Sequence, residues 1–181
     1  MTSTPPLETD DAIVLVLGAP GGREPPGRLD GVTRLEKLIF LLERETPVSK
    51  WMTERADFRS WRFGPFSAKV YEAADKLAAY DLLRDSARQA KSAEDGWESV
   101  SALMDRGDVD PYTTRDFELT ERGMDYYRAL LSELPPEAEL VLRDFKKRFA
   151  SLPLRQLVRY VYERYPQFTD KSEIRDEILG R

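Results

Sequence analysis

Between Trp61 and Leu83 the chain runs Trp-Arg-Phe-Gly-Pro-Phe-Ser and then an amphipathic stretch that closes on Leu82-Leu83. No other stretch narrows the choice of fold as much. Residues 57–63, Asp-Phe-Arg-Ser-Trp-Arg-Phe, place Trp61 and Phe63 on one side of an extended segment. Gly64-Pro65 is expected to turn the chain, and Ser67 can cap the helix that follows. Val70, Ala73, Ala74 and Leu77 form that helix's apolar stripe, which gives way near Tyr80. Leu82-Leu83-Arg84 then reads as the first strand of a hairpin.

The preceding chain is helical in pattern. Ala12-Ile-Val-Leu-Val-Leu17 is a short apolar run, expected as a helix capped by Asp10 or Asp11 and ended by Gly18 and Pro20. As a strand before a Gly-rich loop it would suggest a phosphate cradle, but no Lys-Ser/Thr follows. Residues 19–30, with Gly21, Gly22, Gly27, Pro20, Pro25 and Pro26, are expected as a loop. Leu35, Leu38, Ile39 and Leu42 fall on one helical face, widened by Phe40 and Leu41. Thr33 and Glu36 have capping-box spacing, and Arg34, Lys37, Glu43 and Arg44 make the solvated remainder. Pro47 stops this helix near Glu45.

After the hairpin's first strand the chain is polar and irregular over 85–113, with Trp97 to Met104 expected as one helical turn. From Glu94 to Glu118 the acids are Glu94, Asp95, Glu98, Asp105, Asp108, Asp110, Asp116 and Glu118, against Arg106 and Arg115 alone. Phe117-Glu118-Leu119-Thr120 resumes the hairpin, and Thr120 caps a helix with Met124, Tyr127, Leu130, Leu131 and Leu134 inward. Pro135-Pro136 separates it from a helix burying Leu140, Val141 and Phe145. Leu154, Leu157, Val158, Val161 and Tyr165 give a further helix, ended by Pro166, and Ser172 to Ile178 a last short one.

The order is helix, helix, short strand, helix, hairpin, then four helices. A hairpin flanked by helices predicts an α+β, mostly α chain: a winged helix-turn-helix with a long acidic wing insert and a C-terminal helical extension. The module covers residues 1–134, with the insert at about 85–113, and residues 135–181 form the extension packed on it.

Composition excludes several chemistries. The chain has 181 residues and neither cysteine nor histidine, so disulfides, thiolate nucleophiles, His-based triads and the usual zinc sites are ruled out. No enzymatic activity and no cofactor are expected. Asp105, Asp108 and Asp110 beside Gly107 resemble part of a calcium loop but lack the later glutamate, so no metal site is assigned. The longest apolar run is too short to span a bilayer, and the acidic N-terminus has no basic leader. The expectation is a cytoplasmic protein away from membranes.

Three motifs together resemble a known group. They are Arg34-Leu-Glu-Lys-Leu-Ile-Phe-Leu-Leu42, Phe63-Gly-Pro-Phe-Ser67 before a helix, and Leu119-Thr-Glu-Arg-Gly123. With Leu157-Val-Arg-Tyr-Val-Tyr-Glu-Arg-Tyr-Pro166 they resemble the YwgA-like winged-helix proteins of bacteria and archaea. The chain is more distantly similar to the Panacea-domain (SocA-like) antitoxins. The resemblance implies a winged-helix scaffold without known catalysis, and for the second group toxin neutralisation and regulation through binding.

The leading expectation is a DNA-binding transcriptional regulator, and the alternative is a protein-binding antitoxin or adaptor module that does not read DNA. As a transcriptional regulator on double-stranded DNA, the chain would place the helix from Ser67 to Tyr80 in the major groove. Its readers would be Ser67, Lys69 and Lys76, with Arg84 and Arg88 at the wing. As an antitoxin or adaptor it would bind a protein partner, through the acidic insert or the basic cluster Arg143, Lys146, Lys147 and Arg148. The helices after Pro135 could also supply a homodimer contact. The net charge of −5 argues against indiscriminate coating of nucleic acid but permits a local basic face.

Overall fold

The computed structural model describes residues 6–61, 64–86, 88–89 and 113–180. They form a mixed α+β structure that is mostly helical. In chain order the elements are α1 (Thr9–Gly18), β1 (Arg28–Asp30), α2 (Val32–Glu45), a 3-10 turn (Pro47–Lys50), β2 (Arg59–Trp61), β3 (Gly64–Phe66) and α3 (Ala68–Ala79). There follow β4 (Leu83–Asp85), β5 (Arg88–Gln89), β6 (Thr113–Thr114), β7 (Asp116–Leu119) and α4 (Glu121–Glu133). The chain ends with α5 (Ala138–Phe145), a π-turn (Lys146–Ala150), α6 (Leu154–Arg164), a 3-10 turn (Pro166–Phe168) and α7 (Arg175–Leu179).

The apolar run at 12–17 is a helix, and it lies at the centre of the molecule. Ala12 through Leu17 have no exposed surface, because α1 is apolar on every side and is covered by α2, α3, α4 and β7. A helix so enclosed must satisfy its ends internally. At the start, Asp11 accepts a hydrogen bond from the Glu8 amide at 2.9 Å; the cap is Glu8, two residues before the earlier of the expected caps, Asp10. At the end, Gly27 N–H donates to the Leu17 carbonyl at 2.7 Å. The Lys146 ammonium donates to Val16 O at 2.6 Å and to Leu17 O at 3.3 Å. The Tyr127 ring lies directly against Gly18, where a Cβ would collide with it.

Helix α2 departs furthest from its sequence pattern. Every residue from Val32 to Glu43 is buried, including Arg34, Glu36, Lys37 and Glu43. Three of these had the pattern of a solvated face; instead each carries a backbone group of a neighbouring segment. Arg34 donates to Leu152 O at 2.6 Å and Lys37 to Pro65 O at 3.0 Å. Glu36 accepts from Ser67 N at 3.2 Å and Glu43 from Ala56 N at 2.8 Å. Loops and short strands have unpaired amides and carbonyls, and burial of this region requires partners for them. The Thr33–Glu36 capping box does not form: the helix starts at Val32 on Gly31 (φ 98°), and Glu36 is committed to Ser67.

Gly64 and Pro65 do not turn the chain. They lie in β3, paired antiparallel with β2 in the register Ser60 to Pro65 and Trp61 to Gly64. A proline is tolerated there because the ladder has only two strands. Gly64 has φ 88° and faces the Tyr162 ring of α6, 2.5 Å from where a Cβ would stand. The main sheet has the order β1-β7-β4, with Leu29 opposite Phe117 and Leu83 opposite Leu119. β1 lies inside the stretch expected as loop; at three residues it is too short to show a period. Thr120 caps α4 as its position suggests, accepting from Gly123 N at 3.0 Å.

Helix α6 closes the core over α2 and β3, and α7 packs on α6. Phe40 meets Phe58, Tyr165 and Phe168 edge-on, with ring centroids 5.0–5.1 Å apart. The last helix begins at Arg175, because Ser172 Oγ bonds Tyr162 OH at 2.6 Å and accepts from Ile174 N. Leu140 is not inward but 58% exposed. The turn expected at Trp97–Met104 lies outside the described residues. Among the described residues no helix is long and apolar enough to cross a membrane.

Candidate functional site

The residues expected to read DNA lie on and beside α3, and most already have partners in the chain. Ser67 is 1% exposed. Its hydroxyl donates to Ala56 O and accepts from Val70 N, so it works as the α3 cap and presents nothing to a phosphate. Lys69 pairs with Asp57 at 2.8 Å and donates to Arg55 O at 3.1 Å. That hydrogen-bonded carboxylate raises the Lys69 pKa above its ordinary value. Lys76 pairs with Asp10 at 3.1 Å, and the same cause raises its pKa.

The remaining charges on α3 are Glu72, which is exposed, and Asp75, which accepts from Arg115 at 3.1 Å. Arg115 also pairs with Asp85 at 2.6 Å, tying α3 to β4. Arg84 is exposed on β4, in register with Glu118. The Arg88 backbone pairs with Thr114, and its side chain lies outside the described part. The outer face of α3 therefore combines two paired lysines with two carboxylates, and among the described residues no unpaired cation lies along it.

The C-terminal basic cluster divides. Lys146 is 1% exposed and holds the end of α1, so it leaves the surface set; its place in a π-turn rather than a regular helix points it inward. Burial lowers its pKa from 10.5 to about 8. Arg143 pairs with Glu139 on the same helix at 3.2 Å, an exposed arrangement of small energetic weight. Lys147 is exposed.

Arg148 joins partners absent from the sequence motif. It donates to Tyr160 OH at 3.0 Å and lies over the Phe149 ring at 4.6 Å. Tyr160 in turn donates to Glu45 Oε1 at 2.7 Å. Desolvation, with that carboxylate, pushes the Tyr160 hydroxyl up to about 12. Arg148 and Arg164 approach the same oxygen at 4.0 and 3.8 Å. Sequence reasoning did not find Glu45, Tyr160 and Arg164 as companions of Arg148. Tyr160 and Arg164 do share one side of α6 by i, i+4 spacing, which is the one local signal.

Asp105, Asp108 and Asp110 lie outside the described residues. Among the described residues no group of three or more acidic side chains could hold a metal ion. Neither a family model nor a curated protein matches the chain.

Proposed function

We propose that the chain is a non-enzymatic winged helix-turn-helix protein that works by binding another protein, as an antitoxin or adaptor does. The winged-helix reading is supported by the sheet. In that fold one strand lies between the first two helices and a hairpin follows the third, with the last strand in the middle. Here β1 lies between α1 and α2, β4 and β7 follow α3, and β7 is central. Helix α3 then occupies the recognition-helix position. The bonds from Lys37 and Glu36 of α2 to Pro65 and Ser67 connect two of the motifs shared with the YwgA-like group. On this reading, that resemblance is one of scaffold.

One observation favours a protein partner over DNA: both lysines of α3 are held by carboxylates of this chain. Entry into a major groove would break those pairs and set the exposed Glu72 against phosphates. The acidic sequence of the wing adds charge of the same sign as DNA. The test is fluorescence anisotropy with duplexes from upstream of the protein's own gene, at low salt where phosphate contacts are strongest. No binding is expected. Salt-sensitive binding that is lost in the Lys69→Glu, Lys76→Glu double variant would instead establish α3 as a DNA reader.

A further inference from the structure

We propose that the surface where the end of α2 meets the π-turn and α6 binds an acidic, leucine-bearing peptide segment of the partner protein. The proposal rests on the reading of the chain as a protein-binding module. Arg148 and Arg164 converge there from different elements, each with 61% of its side chain exposed. Each is about 4 Å from Glu45 Oε1, beyond the reach of a direct hydrogen bond. Tyr160 is the group that bonds this oxygen, and Arg148 bonds Tyr160. Arg148 is thus oriented from behind by Tyr160, and Arg164 is held by a hydrogen bond with Tyr165, while the remaining N–H groups of each are left for a carboxylate, which a planar fork binds in bidentate fashion. Stacking on Phe149 fixes Arg148 before any ligand arrives, which lowers the entropy lost on binding.

Beside Arg148 lies a cleft of about 240 Å³ whose lining includes the apolar Pro47, Val141, Phe145 and Phe149 together with Arg148 and the carboxylates Glu45 and Asp144. An apolar side chain fits the cleft while a neighbouring acidic residue meets Arg148 and Arg164. Asp144 repels an acid on its own side, so the charge order of the peptide is set. A nucleic acid fits less well. The next cations along α6, Arg155 and Arg159, are paired with Glu177 at 3.1 Å and Glu163 at 2.9 Å. Along the described part of α6, the open positive zone is then limited to Arg164 beside Arg148, short for a run of phosphates spaced about 1.7 Å apart along a duplex axis.

The test uses fluorescein-labelled peptides of alternating Glu and Leu, read by anisotropy against the whole chain. The Arg148→Glu, Arg164→Glu double variant is expected to bind at least about tenfold more weakly, the equivalent of one charge-assisted hydrogen bond. The Arg148→Lys, Arg164→Lys variant keeps the charge without the fork and is expected to fall between. A peptide with Ser in place of Leu is expected to bind more weakly than the parent. Equal binding by wild type and the Glu double variant overturns the site while leaving a protein-binding role standing. A duplex DNA probe that binds wild type and is lost in the Glu double variant overturns both.

Discussion

Lys146→Met tests the account of how α1 ends inside the core. Methionine keeps nearly the same length and volume but removes the ammonium that donates to Val16 O and Leu17 O. Two effects oppose one another at neutral pH. Loss of charge-assisted hydrogen bonds costs about 1.5–3 kcal/mol each. Relief of a desolvated charge returns about 3 kcal/mol, since burial moves the pKa from 10.5 to about 8. The net loss at neutral pH is therefore anywhere from about 0 to 3 kcal/mol, and the pH dependence carries the information. The folded-state pKa lies below the unfolded one, so the folded chain releases its proton first as pH rises. Between about pH 8 and 10.5 the unfolded state holds more protons, and wild-type stability increases with pH. From about pH 7 to about pH 9.5 the gain amounts to about 2 kcal/mol, and Lys146→Met lacks it. Urea unfolding followed by tryptophan emission, on both proteins at both pH values, gives the difference directly. A gap between wild type and variant that does not change with pH would refute the buried-ammonium account.

Two further substitutions probe the scaffold. Gly64→Ala places a Cβ 2.5 Å from the Tyr162 ring at φ 88°, and strain with overpacking predicts a loss of about 2–4 kcal/mol in urea unfolding; an unchanged midpoint would show that β3 and α6 are not in close contact in solution. Lys37→Met removes the donor to the Pro65 carbonyl and is expected to cost about 1–3 kcal/mol at an unchanged denaturant slope, so a neutral result would mean that this carbonyl is hydrated.

Sequence pattern located most helices, the hairpin of β4 and β7, and the Ser67 and Thr120 caps, because these follow from local periodicity and local hydrogen bonding. It did not locate β1, whose three residues show no alternation and whose pairing with β7 spans about half of the chain. It also misassigned the charges of α2. A lysine or arginine at a helix surface reads as solvated, and only the approach of distant loops makes Lys37 and Arg34 interior. The same limit grouped the basic cluster wrongly as one outer set: Lys146 and Lys147 are adjacent in sequence and opposite in environment. Arg148, Arg164 and Glu45 come together from three elements, so no spacing along the chain could have grouped them.

From Val32 to Glu43, helix α2 has no face on which sequence can drift freely. In most helices the charged positions exchange readily and the apolar ones do not, so polarity serves as a guide to tolerance. Here Arg34, Glu36, Lys37 and Glu43 each carry a backbone group from another segment, and each is as enclosed as the leucines beside it. Replacing any of them leaves an amide or carbonyl of a neighbouring loop without its partner. Mutational tolerance along α2 would therefore be low at polar and apolar positions alike, and among distant relatives its charged residues would persist as a framework signature with no contact to any ligand.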